Sequence, residues 1–162
     1  MVKKTEKLED NQHHLDELDI EIIERLQVDG RTSYTDMAEE LNITVGTVRN
    51  RVQRLIENNL LKIVGVVNPF KTGNPTVTMF GIKVRLQKID HVIKQLVEIP
   101  EVRFVAAATG VYDLYVEVIT ASNEDLHRVI NSEMGKIDGI DSMDSSLLLA
   151  IYKQTYDWGV RN

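Results

Sequence analysis

Six side chains within eleven residues carry the donors and acceptors that read a nucleic acid: Thr44, Thr47, Arg49, Asn50, Arg51 and Arg54. Hydroxyl, amide and guanidinium groups meet base edges in a major groove, and arginine also pairs with phosphate. Their spacing predicts a helix whose apolar face is Val45, Val48, Val52, Leu55 and Ile56. Thr47, Arg49, Asn50 and Gln53 then lie on the opposite face, with Arg51 and Arg54 at its flanks. Thr44 stands where it can N-cap that helix. A second, shorter helix must precede it. Ser33 and Asp36 form a capping-box pattern, Met37, Ala38 and Leu41 give an apolar face, and Asn42 falls where the turn needs a left-handed backbone. Helix, turn and capped helix at this spacing presents one helix end to DNA. An ordinary helical hairpin with a solvated basic face fits the same local pattern.

Charge separates the two readings only locally. The chain of 162 residues has a formal net charge of −6, which argues against indiscriminate nucleic-acid affinity. Residues 42–62, however, set Arg49, Arg51, Arg54 and Lys62 against Glu57 alone, a patch of +3, leaving −9 for the rest. Phosphate attraction acts within a Debye length of about 8 Å, so a basic patch on an acidic body suits selective DNA binding. Other chemistry is sparse. There is no cysteine, so disulfides, thiolate metal sites and cysteine nucleophiles are excluded. His13 and His14 are adjacent and share no helix face, which makes a poor metal pair. His91 stands beside a helix start and His127 on a polar face beside Arg128, neither within a catalytic motif. The residues call for no catalytic group, no metal and no cofactor. No window approaches the roughly 20 apolar residues of a membrane span, and no apolar signal region follows the first lysines. A cytoplasmic protein without a membrane partner is the expectation.

The chain divides by pattern. Residues 1–14 are polar without periodicity and read as a flexible tail. Leu15, Leu18, Ile22 and Leu26 recur at helical spacing with Asp16, Asp19, Glu21 and Glu24 outward, and Asp29-Gly30 ends that helix. Residues 15–67 thus form a trihelical helix-turn-helix domain, with Leu61–Val67 as a strand completing a winged fold. Residues 68–76, with two of the three prolines, form a linker. Residues 77–153 repeat a β-α-β pattern: a strand over Val77–Leu86, a helix with Val92, Ile93, Leu96 and Val97, and a strand over Val102–Ala108. A strand with Leu114, Val116 and Val118 follows, then a helix opened by Ser122 and Asp125, and a last strand near Met143–Tyr152. Residues 154–162 form a C-terminal tail. The fold class is α+β, a winged helix-turn-helix domain followed by a ferredoxin-like βαββαβ domain. Two helices cover one sheet face; the other, with Met79, Val105, Ala107, Tyr115, Ile119, Leu148 and Ala150, is apolar enough to predict a homodimer.

Three stretches carry a family resemblance. LDELDIEIIERLQVDGRTSYTDMAEELNITVGTVRNRVQRL, VRFVAAATGVYDLYVEV and IDGIDSMDSSLLL occur in an order that resembles the Lrp/AsnC, or feast/famine, transcription regulators over residues 15–153. Asn42 stands where glycine is frequent in the family, and Asn58-Asn59 replaces a more usual Glu-Gly. The resemblance implies a sequence-specific regulator that binds double-stranded DNA. It implies dimers that assemble into tetramers or octamers, and a small effector, commonly an amino acid, that alters assembly or DNA affinity. It places the effector at Thr109, Gly110, Val111, Tyr112 and Asp113, facing Gly139–Ser145 of a neighbouring subunit, with Ser145 among the contacts. Gly110 would open backbone donors to a carboxylate, Asp113 would pair with an ammonium, and Tyr112 would wall an apolar side chain. A plain hairpin turn with Asp113 bonding backbone fits these residues too. Two other functions compete: an enzyme like the related siroheme decarboxylases, and an amino-acid-sensing module without DNA binding. The basic Arg49–Arg54 helix disfavours both.

Overall fold

The computed structural model describes residues 15–73, 75–155 and 159. The tail expected at 1–14, with His13 and His14, lies outside them, as does most of 154–162. The described chain forms two compact units that meet in sequence at Val66 and Val67.

The first unit is three helices: α1 (Glu17–Val28), α2 (Tyr34–Glu40) and α3 (Val45–Glu57). Each begins at a side-chain cap. Ser33 accepts from the Asp36 N–H and Thr44 from the Thr47 N–H. At α1 the capping box is reciprocal, between Asp16 and Asp19. Two helices end alike. The Asn42 and Ile43 N–H groups bond the Glu39 and Ala38 carbonyls, and those of Asn59 and Leu60 bond Ile56 and Leu55. Both are Schellman closures, with Asn42 at φ +52° and Asn59 at +57°. Asparagine therefore takes the left-handed position that both turns require. Ile22, Leu26, Met37, Val48, Val52 and Leu55 fill the core between the helices.

Two expectations for this unit are corrected. Residues 61–67 form no strand: a strand needs a pairing partner, and the segment finds none among the described residues, leaving Ile63, Val64, Val66 and Val67 exposed. The helix-turn-helix stands without its wing. Asp19, expected to point outward, is 1% exposed: its spacing puts it on the same face as Ile22, Ile23 and Leu26, and two arginines of α3 pair its charge there.

The second unit is a four-stranded antiparallel sheet, β1 (Thr76–Val84), β2 (Val102–Ala107), β3 (Leu114–Thr120) and β4 (Ile140–Leu147), in the order β2-β3-β1-β4. Helix α4 (Ile89–Leu96) joins β1 to β2, and α5 (Asn123–Arg128) leads from β3 towards β4. A π turn at Val129–Glu133 and a 3-10 turn at Met134–Lys136 extend α5. The order βαββαβ is the ferredoxin-like arrangement. Phe80, Ile82, Leu114, Val116 and Val118 share a core with Val92, Leu96, Val129 and Met134, which defines the helix-covered face.

The opposite face differs from expectation in β2 and β4. A bulge between Val102 and Phe104 shifts the register, so Val105 pairs with Val116 and packs on the core, while Ala107 pairs with buried Leu114. Phe104, opposite Glu117, and Ala106, opposite Tyr115, take the open face instead. The last strand runs Ile140–Leu147 rather than Met143–Tyr152. It lies antiparallel to β1, which starts at Thr76, so residues beyond Leu148 have no strand to meet. Leu148 still donates its N–H to the Val77 carbonyl at 2.8 Å at the end of β1, whereas Ala150 lies outside the sheet.

Candidate nucleic-acid interface and ligand loop

Helix α3 displays the residues singled out by sequence in two sets. Thr44 accepts from the Thr47 N–H at 3.1 Å, and the two hydroxyls lie 2.9 Å apart, so the helix start is ordered before any partner arrives. Arg49 and Asn50 are exposed one turn on, and neither enters an ion pair among the described residues. Arg51 and Arg54 behave differently. Arg51 Nη1 donates to Asp16 Oδ1 at 2.6 Å and to Asp19 Oδ1 at 3.0 Å, while Arg54 Nη2 donates to Asp19 Oδ2 at 2.6 Å. A carboxylate as buried as Asp19 is costly unless paired, and two guanidiniums supply the pairing. The Arg51 hydrogen bond, with the Asp19 N–H, holds the Asp16 carboxyl below its ordinary pKa, and Asp16 in turn raises that of Arg51. Gln53 Nε2 donates forward along the helix to Glu57 Oε1 at 2.9 Å.

In the second unit, Thr109–Asp113 links β2 to β3. The Ala108 N–H donates to the Asp113 carbonyl and the Asp113 N–H to the Ile82 carbonyl, both at 2.9 Å. Asp113 Oδ2 accepts from the Val84 N–H at 2.9 Å, so one carboxylate oxygen caps the end of β1. Gly110, at φ +121°, has open space where a Cβ would stand, and Thr109 and Val111 are exposed. Tyr112 leaves the loop tip: its ring lies against Gly81, where a Cβ would come within 2.5 Å of ring carbon Cδ2. Its hydroxyl donates to Asp144 Oδ2 at 2.9 Å, and its ring meets Tyr115 edge-on at 5.8 Å. That bond to a carboxylate raises the Tyr112 pKa. Ser145 follows Asp144 in β4 and therefore points to the other side of the sheet, so one chain does not bring Tyr112 and Ser145 together. A separate cleft, lined by Glu98, Glu101, Arg128 and Glu133 among others, contains none of the loop residues.

Sequence reasoning missed three participants. Gly81 inside a strand signals close approach of something else, here Tyr112. Asp19 has the helical spacing of Ile22, Ile23 and Leu26, a signal that could have placed it inside; Asp144 gave none. The histidines remain apart from any site: His91 is exposed, and His127 Nε2 lies 2.9 Å from Asn131 Nδ2. Among the described residues no three His, Cys, Asp or Glu side chains are grouped to hold a metal.

Known families match both halves. Residues 15–56 match the AsnC-type helix-turn-helix domain and residues 77–158 the Lrp/AsnC ligand binding domain. The chain belongs to the Lrp/AsnC family. An uncharacterized HTH-type transcriptional regulator of Pyrococcus abyssi is 37% identical over 143 residues, covering 88% of this chain and 90% of that protein. Among solved structures, AsnC of E. coli aligns with a TM-score of 0.76 at 23% identity over 86% of this chain and 95% of its own. A transcriptional regulator of Neisseria meningitidis in complex with L-Met aligns with a TM-score of 0.78 at 19% identity, covering 88% and 94%. Lrp/AsnC members are transcription regulators with a DNA-binding helix-turn-helix and a ligand-binding domain, and this chain has both. Among the described residues no helix is long and apolar enough to cross a membrane.

Proposed function

We propose that this Lrp/AsnC regulator reads duplex DNA through Thr44, Thr47, Arg49 and Asn50, with Arg51 and Arg54 bracing α3 against α1. The observation that carries the reading is the capped start of α3 followed by Arg49 and Asn50, both exposed and without an ion pair among the described residues. A small effector, an amino acid, then binds at the loop Thr109–Asp113 and changes assembly or DNA affinity. The likeness to a regulator that holds L-Met supports that ligand class. Gly110 offers backbone donors to the carboxylate, the second Asp113 oxygen serves the ammonium, and Ser145 comes from another copy. The copies associate through the open sheet face, where Met79, Phe104, Tyr115 and Ile119 surround Glu117, into a homodimer and then a tetramer or octamer. The protein acts as a regulator rather than an enzyme, as the name of its P. abyssi relative suggests.

The test is DNA binding by the full chain to the region upstream of its own gene, with and without each of the twenty amino acids. Arg49→Ala is expected to weaken specific binding by roughly 1–3 kcal/mol. An effector at 100 times its dissociation constant should add about 2.7 kcal/mol to thermal stability. An Arg49→Ala variant with unchanged affinity and salt dependence removes Arg49 from the interface. A monomer in sedimentation at micromolar concentration removes the assembly.

A further inference from the structure

Of the three arginines on α3, two are already engaged inside the protein. Asp16 and Asp19, on the cap and first turn of α1, take Arg51 and Arg54 through four hydrogen bonds of 2.5–3.0 Å. The two carboxylates cancel the two guanidiniums, so the +3 counted over residues 42–62 is +1 at the folded surface. Arg51 is held tightly enough that its side chain is only 25% exposed.

We infer that Asp16 and Asp19 are specificity-determining residues for DNA binding: they withhold Arg51 and Arg54 from phosphates, so that α3 meets DNA chiefly through Arg49 and its polar neighbours. The inference rests on the reading of α3 as the DNA-facing helix. Phosphate contacts carry no sequence information directly, whereas contacts to base edges do. A helix with three free arginines would gain sequence-independent affinity about as fast as specific affinity. Internal neutralisation removes the first without touching Arg49 or Asn50. The two aspartates touch no DNA themselves; they act by positioning two arginines.

Asp16→Asn isolates the effect. Asparagine caps a helix as well as aspartate does, so α1 keeps its start while Arg51 loses its nearer anion. Binding of the full chain to a duplex of unrelated sequence is measured by fluorescence anisotropy across a salt series. Each phosphate newly neutralised by a freed arginine should steepen the log K against log salt slope by about 0.9. Two companions exclude trivial causes. Glu17→Gln makes the same change of charge one residue away, at an exposed side chain without an ion pair among the described residues, and should leave the slope unchanged. Adding Arg51→Gln to Asp16→Asn should restore the original slope. An unchanged slope in Asp16→Asn overturns the inference, as does equal steepening by Glu17→Gln or a steep slope that survives loss of Arg51. Arg49→Ala, measured beside them on the specific site, separates the two levels. If it weakens binding while Asp16→Asn does nothing, the DNA reading stands and the inference falls; if neither variant has an effect, both fall.

Discussion

Gly139 and Gly110 hold similar backbone conformations, φ +114° and +121°, in opposite surroundings. A Cβ at Gly110 would meet nothing within 4 Å, whereas one at Gly139 would stand 2.6 Å from Lys88 Cβ and 3.0 Å from Val92 Cγ2. Alanine at Gly110 therefore suffers backbone strain alone, about 1–3 kcal/mol, offset by roughly 0.4–1 kcal/mol because alanine restricts the unfolded chain. Alanine at Gly139 carries the same terms and adds overpacking of about 1–3 kcal/mol, since Val92 is fully buried and has no room to retreat. The Gly139 carbonyl also accepts the Arg85 N–H at 2.8 Å, so a shifted backbone loosens the start of β4 and the placement of Asp144 and Ser145. Equilibrium unfolding in urea at constant m should show both variants destabilised, Gly139→Ala by about 1–3 kcal/mol more than Gly110→Ala. Equal losses refute the packing argument. A gain in stability at Gly110 refutes the conformational one.

Glu117 sits on the open face between Met79 and Phe104, and burial raises its carboxyl above the ordinary 4.5. The folded state thus holds that proton more tightly than the unfolded one. Stability should fall as pH rises from 4.5 through the raised value, and Glu117→Gln should have the higher urea midpoint at pH 7. Asp16 has the reverse sign: its carboxyl is held below 3.8, so its contribution is full above pH 3.8 and is lost as pH falls through the lower folded value. The difference in midpoint between wild type and Asp16→Asn should be constant near neutrality and shrink below pH 3.8. Asp113→Ala should lose about 1–3 kcal/mol because the buried Val84 N–H loses its acceptor, while unfolding stays cooperative. Unchanged stability would free Asp113 from its structural bond.

The helices and three of the four strands were legible because their signals are local. Apolar spacing marks each helix face, Ser33, Thr44 and Ser122 mark helix starts, and asparagine marks both left-handed turns. What escaped depends on partners distant in sequence. The bulge that turns Val105 inward is set by pairing with β3, and no residue type announces it. Asp-Ser-Met-Asp-Ser-Ser at 141–146 has the composition of a loop, yet it is an edge strand, where polar residues are at home. Asp19 stands three, four and seven residues before Ile22, Ile23 and Leu26, on the buried face of α1, and its charge is tolerated there because Arg51 and Arg54 arrive from more than thirty residues away. At the ligand loop, Thr109 and Gly110 stand open as expected, but Tyr112 is drawn onto the sheet by a vacancy at Gly81.

The π turn at Val129–Glu133 sets which changes of length evolution can make there. Val129 and Met134, five apart, are both fully buried. In an α-helix residues five apart diverge by about 140°, which would turn one of the two towards solvent. A turn that closes on the fifth residue brings them back over one another. The segment therefore carries one residue more than a regular helix joining the same two core positions. Loss of Asn131, Ser132 or Glu133, all exposed, would leave Val129 and Met134 four apart, the spacing at which an ordinary α-helix keeps both on one face. A further residue would have no such refuge, since it would swing Met134 by about 100° out of the core. Length here is forgiving in one direction only, and a shorter chain at this point would trade a wide turn for a plain helix.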